Sequence, residues 1–110
     1  MIRHVVAAID NEEREVPMSV RVIAVQMSSG GTLHSHIEDL RWIEDGTGDT
    51  GDSSRAQMVE WVERGGFAYT FDDSGDKPRL FVRTSAEGTK YVQTQADGIW
   101  QDNLLALPRF

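Results

Sequence analysis

The sequence predicts an α+β domain, a mainly antiparallel sheet of about five strands with one helix packed on one face, in the order β-β-α-β-β-β. Three observations lead there. Short β-branched and aromatic runs are separated by Gly- and Asp-rich turns too brief for crossovers. A single stretch carries helical periodicity with both a start and a stop signal. The closing residues read as a hairpin followed by a leucine plug.

Residues 1–17 read as an N-terminal extension, either flexible or an added strand. Ile2 to Ile9 suit a strand, but Asn11-Glu-Glu-Arg-Glu15 is a charge run and Pro17 interrupts a ladder. Residues 18–110 form the single domain. Its first strand is Ser19–Met27, a β-branched run suited to a central position. Ser28–Thr32 is a loop. His36–Glu44 is the second strand, with Leu40 and Trp42 on one face and Ile37, Asp39, Arg41 and Ile43 on the other. Asp45–Asp52 is expected to be a flexible acidic loop.

Ser54 followed by Gln57 forms a capping-box pattern, and Met58, Val59, Trp61 and Val62 gather on one side of a helix near Arg55–Arg64. Gly65-Gly66 stops it. Phe67–Phe71 alternates, with Phe67, Tyr69 and Phe71 on one face. Asp72–Asp76 turns the chain into Arg79–Thr84, and Ala86-Glu-Gly88 turns it again into Lys90–Gln95. Asp97-Gly98 is the preferred pair for a type I′ turn. Asp102-Asn103 then leads into Leu104-Leu-Ala-Leu-Pro108, with Asp102 placed as a turn or helix-cap acceptor.

The net charge of −7 is uneven: residues 36–76 carry −8, whereas 77–110 carry +2. A duplex-binding protein needs a concentrated basic face, so duplex nucleic acid is disfavoured as a partner. With no cysteine, disulfides, thiolate zinc sites and cysteine nucleophiles are excluded. No apolar run approaches the ~20 residues that span a bilayer, and a cytoplasmic protein is expected.

The spacing Tyr91-x-x-Thr94, Asp97-Gly98 and Asp102-Asn-Leu-Leu-x-Leu-Pro108 resembles the closing signature of the bacterial family called domain of unknown function 3892. Arg41-Trp42, Ser54-Arg55 and Gly65-Gly66 before an aromatic strand are similar to the same family. The resemblance spans roughly residues 19–108 and implies a small bacterial domain, sometimes carried on phages or other mobile elements, with no assigned activity. The family commonly has Arg before the Thr, where this chain has Gln93, and residues 1–17 lie outside the pattern.

The candidate chemistry is sparse. His34 and His36 would project together from an extended chain as two metal ligands, but lack a third, and solvated loop histidines are the plainer role. Asp97 and Asp102 form an acid–base pair only if the hairpin brings them together, and both have turn roles. Arg55 opposes the helix dipole, which suits gripping an anion, or else pairing with Asp49 or Asp52. Trp42, Trp61 and Trp100 make an aromatic platform or, more plainly, core. No nucleotide-binding loop or nucleophile elbow is present.

The leading expectation is therefore a non-enzymatic binding or interaction module without a cofactor, whose acidic face meets an unknown protein partner or which self-associates. The alternative is a small-molecule or nucleotide pocket near the helix start and terminal hairpin. Arg41, Arg55, Asp102 and Asn103 would supply its polar contacts and Trp100 a wall. A third reading is single-stranded nucleic acid bound by the basic 77–110 segment and exposed aromatics.

Overall fold

The computed structural model describes residues 19–110; the expectation for the 1–17 extension lies outside the described residues. The fold is α+β with one helix on a mostly antiparallel sheet, but the sheet has seven strands rather than five. They are β1 (Ser19–Met27), β2 (Ile37–Glu44), β3 (Thr50–Ser54), β4 (Phe67–Tyr69), β5 (Arg79–Thr84), β6 (Lys90–Ala96) and β7 (Ile99–Gln101). The helix α1 (Arg55–Glu63) follows β3, so the order is β-β-β-α-β-β-β-β.

In space the strands run β3-β2-β1-β4-β5-β6-β7. Residues β1 to β3 form one meander and β4 to β7 another. Between them α1 crosses back over the sheet and lays β4 beside β1 in parallel, Ser19 opposite Phe67 and Arg21 opposite Tyr69. A parallel neighbour requires such a crossover, which is why the helix-bearing connection produces the parallel pair.

The two added strands have different reasons. β7 is the return arm of the Asp97-Gly98 hairpin, and φ values of 53° and 77° at those residues fit the expected type I′ turn. β3 replaces the end of the acidic loop. Its sequence, Thr-Gly-Asp-Ser-Ser, has no apolar alternation to announce a strand. It forms on the edge of β2, and Gly51 allows the Trp42 ring to lie against its backbone. A Cβ there would come within 2.5 Å of that ring. The Trp42 Nε1 donates to Ser53 Oγ at 2.9 Å, fixing the same contact.

Two register shifts in the β1–β2 pair redistribute the side chains. Ile23 is the extra residue on β1, so inward positions pass from Val20 and Val22 to Val25. Glu38 is the extra residue on β2, which returns Ile37 to the core although strict alternation assigns it to the opposite face. The core is one apolar layer between sheet and helix. It joins Val20, Val22, Val25, Ile37, Leu40, Trp42, Leu80 and Val92 to Met58, Val59, Trp61 and Leu104.

The helix ends follow the sequence signals closely. Ser54 Oγ accepts from the Gln57 amide at 3.1 Å and Gln57 Oε1 accepts from the Ser54 amide at 2.9 Å, completing the capping box. At the other end a Cβ on Gly66 would stand 2.3 Å from the Trp61 ring, so only glycine lets the chain leave this closely past the indole.

β4 pairs with only the first residues of β1. The terminal segment occupies the vacant edge beyond: the Val25 amide donates to Pro108 O at 3.0 Å and the Phe110 amide to Val25 O at 3.1 Å. Leu104 is fully buried, and Leu105 and Leu107 pack against the core. The leucine plug thus both fills the core and closes a sheet edge.

Candidate functional site

The helix-free face of the sheet carries an arrangement of cations over aromatic rings. Strand alternation sends Leu80 and Val82 towards the helix and leaves Arg79, Phe81 and Arg83 on the other side. Phe67, Tyr69, Arg21 and Trp100 share that side through their register. Arg21 lies opposite Tyr69, Tyr69 opposite Arg79, Arg79 opposite Gln95, and Gln95 opposite Trp100. These five residues form one line across β1 and β4 to β7.

Along that face each cation lies over a ring. The Arg79 guanidinium carbon stands 4.6 Å from the Phe67 centroid and 5.5 Å from that of Phe81. Arg83 lies 4.3 Å over Trp100, Arg21 4.8 Å over Phe71, and Lys77 Nζ 5.6 Å from Tyr69. Phe81 and Trp100 meet edge to face at 6.4 Å. The rings stay accessible all the same: Phe67, Phe71, Phe81 and Trp100 are 37–41% exposed. Stacking a guanidinium on a ring is worth about 0.5–1 kcal/mol at an exposed site and leaves its N–H edge open for an anion.

None of Arg21, Lys77, Arg79 and Arg83 has a carboxylate at ion-pair distance among the described residues. The Arg79 Nε is buried without an acceptor. Arg83 is held by Gln93: its Nη1 donates to Gln93 Oε1 at 3.0 Å, and Gln93 Nε2 donates to Gln101 O at 3.0 Å. Gln93 therefore ties β5, β6 and β7 together beneath the Arg83–Trp100 stack. The segments β4 to β7 contain no Asp or Glu, whereas β2 and β3 contain Glu38, Asp39, Glu44 and Asp52.

The acidic middle of the chain is largely engaged internally. Asp52 receives two bonds from Arg41, at 2.8 and 3.2 Å, and this contact holds its carboxyl below the usual range. Arg41 also lies 4.1 Å over Phe110. Asp45 accepts from Ser19 Oγ at 2.6 Å and from the Tyr69 hydroxyl at 2.9 Å. Burial, and then that bond, raise the Tyr69 phenol above its ordinary pKa. Asp72 accepts from the amides of Ser74 and Asp76, and its carboxyl is held low, chiefly by the Ser74 hydrogen bond.

The residues singled out in the sequence go to separate places. Arg55 does not face Asp49 or Asp52; its Nη1 donates to the carbonyls of Ser35 and Ile37, stapling the helix start to the entry of β2. Asn103 Nδ2 donates to Thr94 Oγ1 and Gln101 Oε1 at 3.1 and 2.7 Å, fastening the plug to the hairpin. Asp102 precedes a short 3-10 turn, Asn103–Ala106, without capping it. Its side chain is 82% exposed, while its backbone carbonyl accepts from Leu105. The expected side-chain cap is thus replaced by a main-chain bond. Trp42 and Trp61 are core, and Trp100 alone of the three is exposed.

His34 and His36 occupy a 3-10 turn rather than an extended pair. His36 Nδ1 accepts from the Thr32 and Leu33 amides. His34 is buried, stacked 6.5 Å from Tyr91, with Nε2 unpaired and 3.9 Å from Asp102 Oδ1. Burial lowers its pKa, outweighing the carboxylate of Asp102, and Arg83 lowers it further. Among the described residues no three His, Asp or Glu are grouped to hold a metal ion. Nor does any described helix have the length and apolarity to cross a membrane.

Residues 21–108 match the family model described as Protein of unknown function (DUF3892). The chain belongs to this family. The match covers every strand but the first two residues of β1, and so includes almost all of the cation–aromatic face. Neither the curated proteins nor the solved structures yield a match to the chain.

The cation–aromatic face escaped a linear reading because its partners are distant in sequence; Arg21 and Phe71 are an example. Its one local signal was the shared parity of Phe67, Tyr69 and Phe71, and of Arg79, Phe81 and Arg83.

Proposed function

We propose that this family member is a non-catalytic binding module that engages a polyanionic partner through the open face of β4 to β7 and Arg21. One observation carries the reading: four cations stand over the accessible rings of Phe67, Phe71 and Trp100 on one face, with no carboxylate at ion-pair distance among the described residues. Stacked guanidinium groups are held in place before the partner arrives, which lowers the ordering cost of binding. The expectation of an acidic face meeting a basic partner has less support, because Asp45, Asp52 and Asp72 have internal donors. The pocket at the helix start also has less support, since Arg55 and the Asn103 amide nitrogen are engaged in holding the fold.

Immobilised heparin at physiological salt tests the proposal. Retention is expected for the whole chain despite its net charge of −7, because screening beyond about 8 Å lets a local patch act alone. The double variant Arg79→Gln, Arg83→Gln should elute with the void volume. Passage of the unaltered protein straight through the column would overturn the reading.

A further inference from the structure

We infer that the polyanion is single-stranded nucleic acid, its bases lying on the rings and its phosphates on the guanidinium edges. This rests on the reading of the open face as a polyanion site and narrows its partner. Charge alone would serve an acidic peptide or a sulfated glycan equally well. Neither requires accessible rings alternating with the cations, whereas every unpaired base has a π-face that stacks on such rings.

The arrangement meets three requirements of an unpaired strand. A stacking platform needs accessible rings on one sheet face, and Phe81 on β5 and Trp100 on β7, each 37% exposed on either side of β6, supply them beneath the flexible side chains of Arg79 and Arg83. An antiparallel sheet with such rings is a general support for two or three splayed bases. Cations must accompany the rings at backbone distance, and Arg79 and Arg83 flank Phe81 at i−2 and i+2. A base also offers donors and acceptors at its edge. Gln95, half-buried between Arg79 and Trp100 in register, has no hydrogen-bond partner for its carboxamide among the described residues. It is placed beside Trp100 to bond the edge of a base stacked there. A duplex keeps its bases stacked inward and would meet only the cations.

Trp100 also provides the readout. Trp42 and Trp61 are 1% exposed on the opposite side of the sheet, so quenching by a stacked base reports Trp100. The experiment titrates the whole chain with labelled oligo(dT) and oligo(U) of about eight nucleotides, following anisotropy and tryptophan emission, beside a duplex of similar length and heparin. Single strands are expected to bind at least tenfold tighter than the duplex and to quench emission. Engaging three or four phosphates gives a slope of log K against log salt of roughly −2 to −3. Trp100→Ala should weaken binding on the order of tenfold, whereas Trp100→Tyr, which keeps a ring, should restore most of it. Gln95→Ala should reduce differences among oligo(A), oligo(C) and oligo(U) while leaving average affinity nearly intact. Heparin binding without preference for single strands, or single-strand binding unaffected by Trp100→Ala with no quenching, would overturn the inference and leave the polyanion reading standing. Failure to bind heparin and every oligonucleotide would remove both.

Discussion

The two faces of the sheet are built from the same strands and from alternate residues, yet large side chains are handled in opposite ways. Towards the helix, Leu40, Trp42, Leu80 and Val92 are covered by Met58, Val59, Trp61 and Leu104, and water is excluded. On the other side Phe67, Phe71, Phe81 and Trp100 touch neighbouring rings edge to face and are overlaid by guanidinium and ammonium groups, each ring still in contact with solvent. The first face obtains its stability from burial, at roughly 25 cal/mol per Å² of apolar surface. The second keeps large apolar area accessible and soluble by laying charge over it. A strand can therefore contribute to the core and to a recognition surface at once, divided by parity alone.

Two adjacent residues of β5 show the difference between the faces most directly. Leu80 is 0% exposed and faces the helix; Phe81 is 37% exposed and faces out. Leu80→Ala should cost about 2–5 kcal/mol in urea unfolding, the range for truncating a core leucine. Phe81→Ala should cost less than about 1.5 kcal/mol although it removes more atoms, since a half-exposed ring never lost all its water. Equal losses would mean that the outer face is core under another name.

The covered face can also be stressed by adding atoms. Gly66→Ala puts a methyl group 2.3 Å from the Trp61 ring, and about 1–3 kcal/mol of destabilisation is expected from overpacking. Gly75 has no heavy atom within 4 Å of a built Cβ but has φ of 86°, so Gly75→Ala in the same melts isolates the cost of backbone conformation. Gly66→Ala should be the more damaging of the two.

The smallest effect concerns His34, at the margin of the sheet. Its folded pKa lies below the ordinary value, so the folded protein keeps it neutral while the unfolded chain takes up a proton as pH falls through about 6.5. This contribution to stability is present above that pH and is lost below it, until the folded pKa is reached. Thermal melts at pH 7.5 and 5.5 should therefore differ less for His34→Gln than for the unaltered protein. An unchanged or larger difference would place the pH sensitivity elsewhere.

What was legible in the sequence was local. Ser54, Gln57, Gly65 and Gly66 act within one helical turn, and Asp97-Gly98 acts within one hairpin, so the structure matches those expectations. β3 was hidden because Trp42 and Ser53, eleven residues apart, create its fit to β2. Ile37 was assigned to the wrong face because nothing in the sequence marks the extra residue at Glu38. The terminal signature, which carried the family resemblance, proved mostly architectural: Asn103, Leu104 and Pro108 join the hairpin, core and β1. The outer cations were individually visible, but a pattern such as Arg21 over Phe71 exists only once register is known.

The closure of β1 by residues from three parts of the chain, two of them distant, also bears on how the protein folds. Its neighbours are β2, then Phe67–Tyr69, then the backbone at Pro108 to Phe110. Two of those partnerships span more than forty residues, and long loops must be ordered before such contacts give any return. Chains dominated by pairings of this kind fold in milliseconds to seconds rather than microseconds. During synthesis the central strand must wait with an incomplete edge until residues 108–110 have emerged. The first of the described strands to be made is among the last to be sealed, and a chain stopped before the leucine plug leaves that strand open to pair with a neighbour.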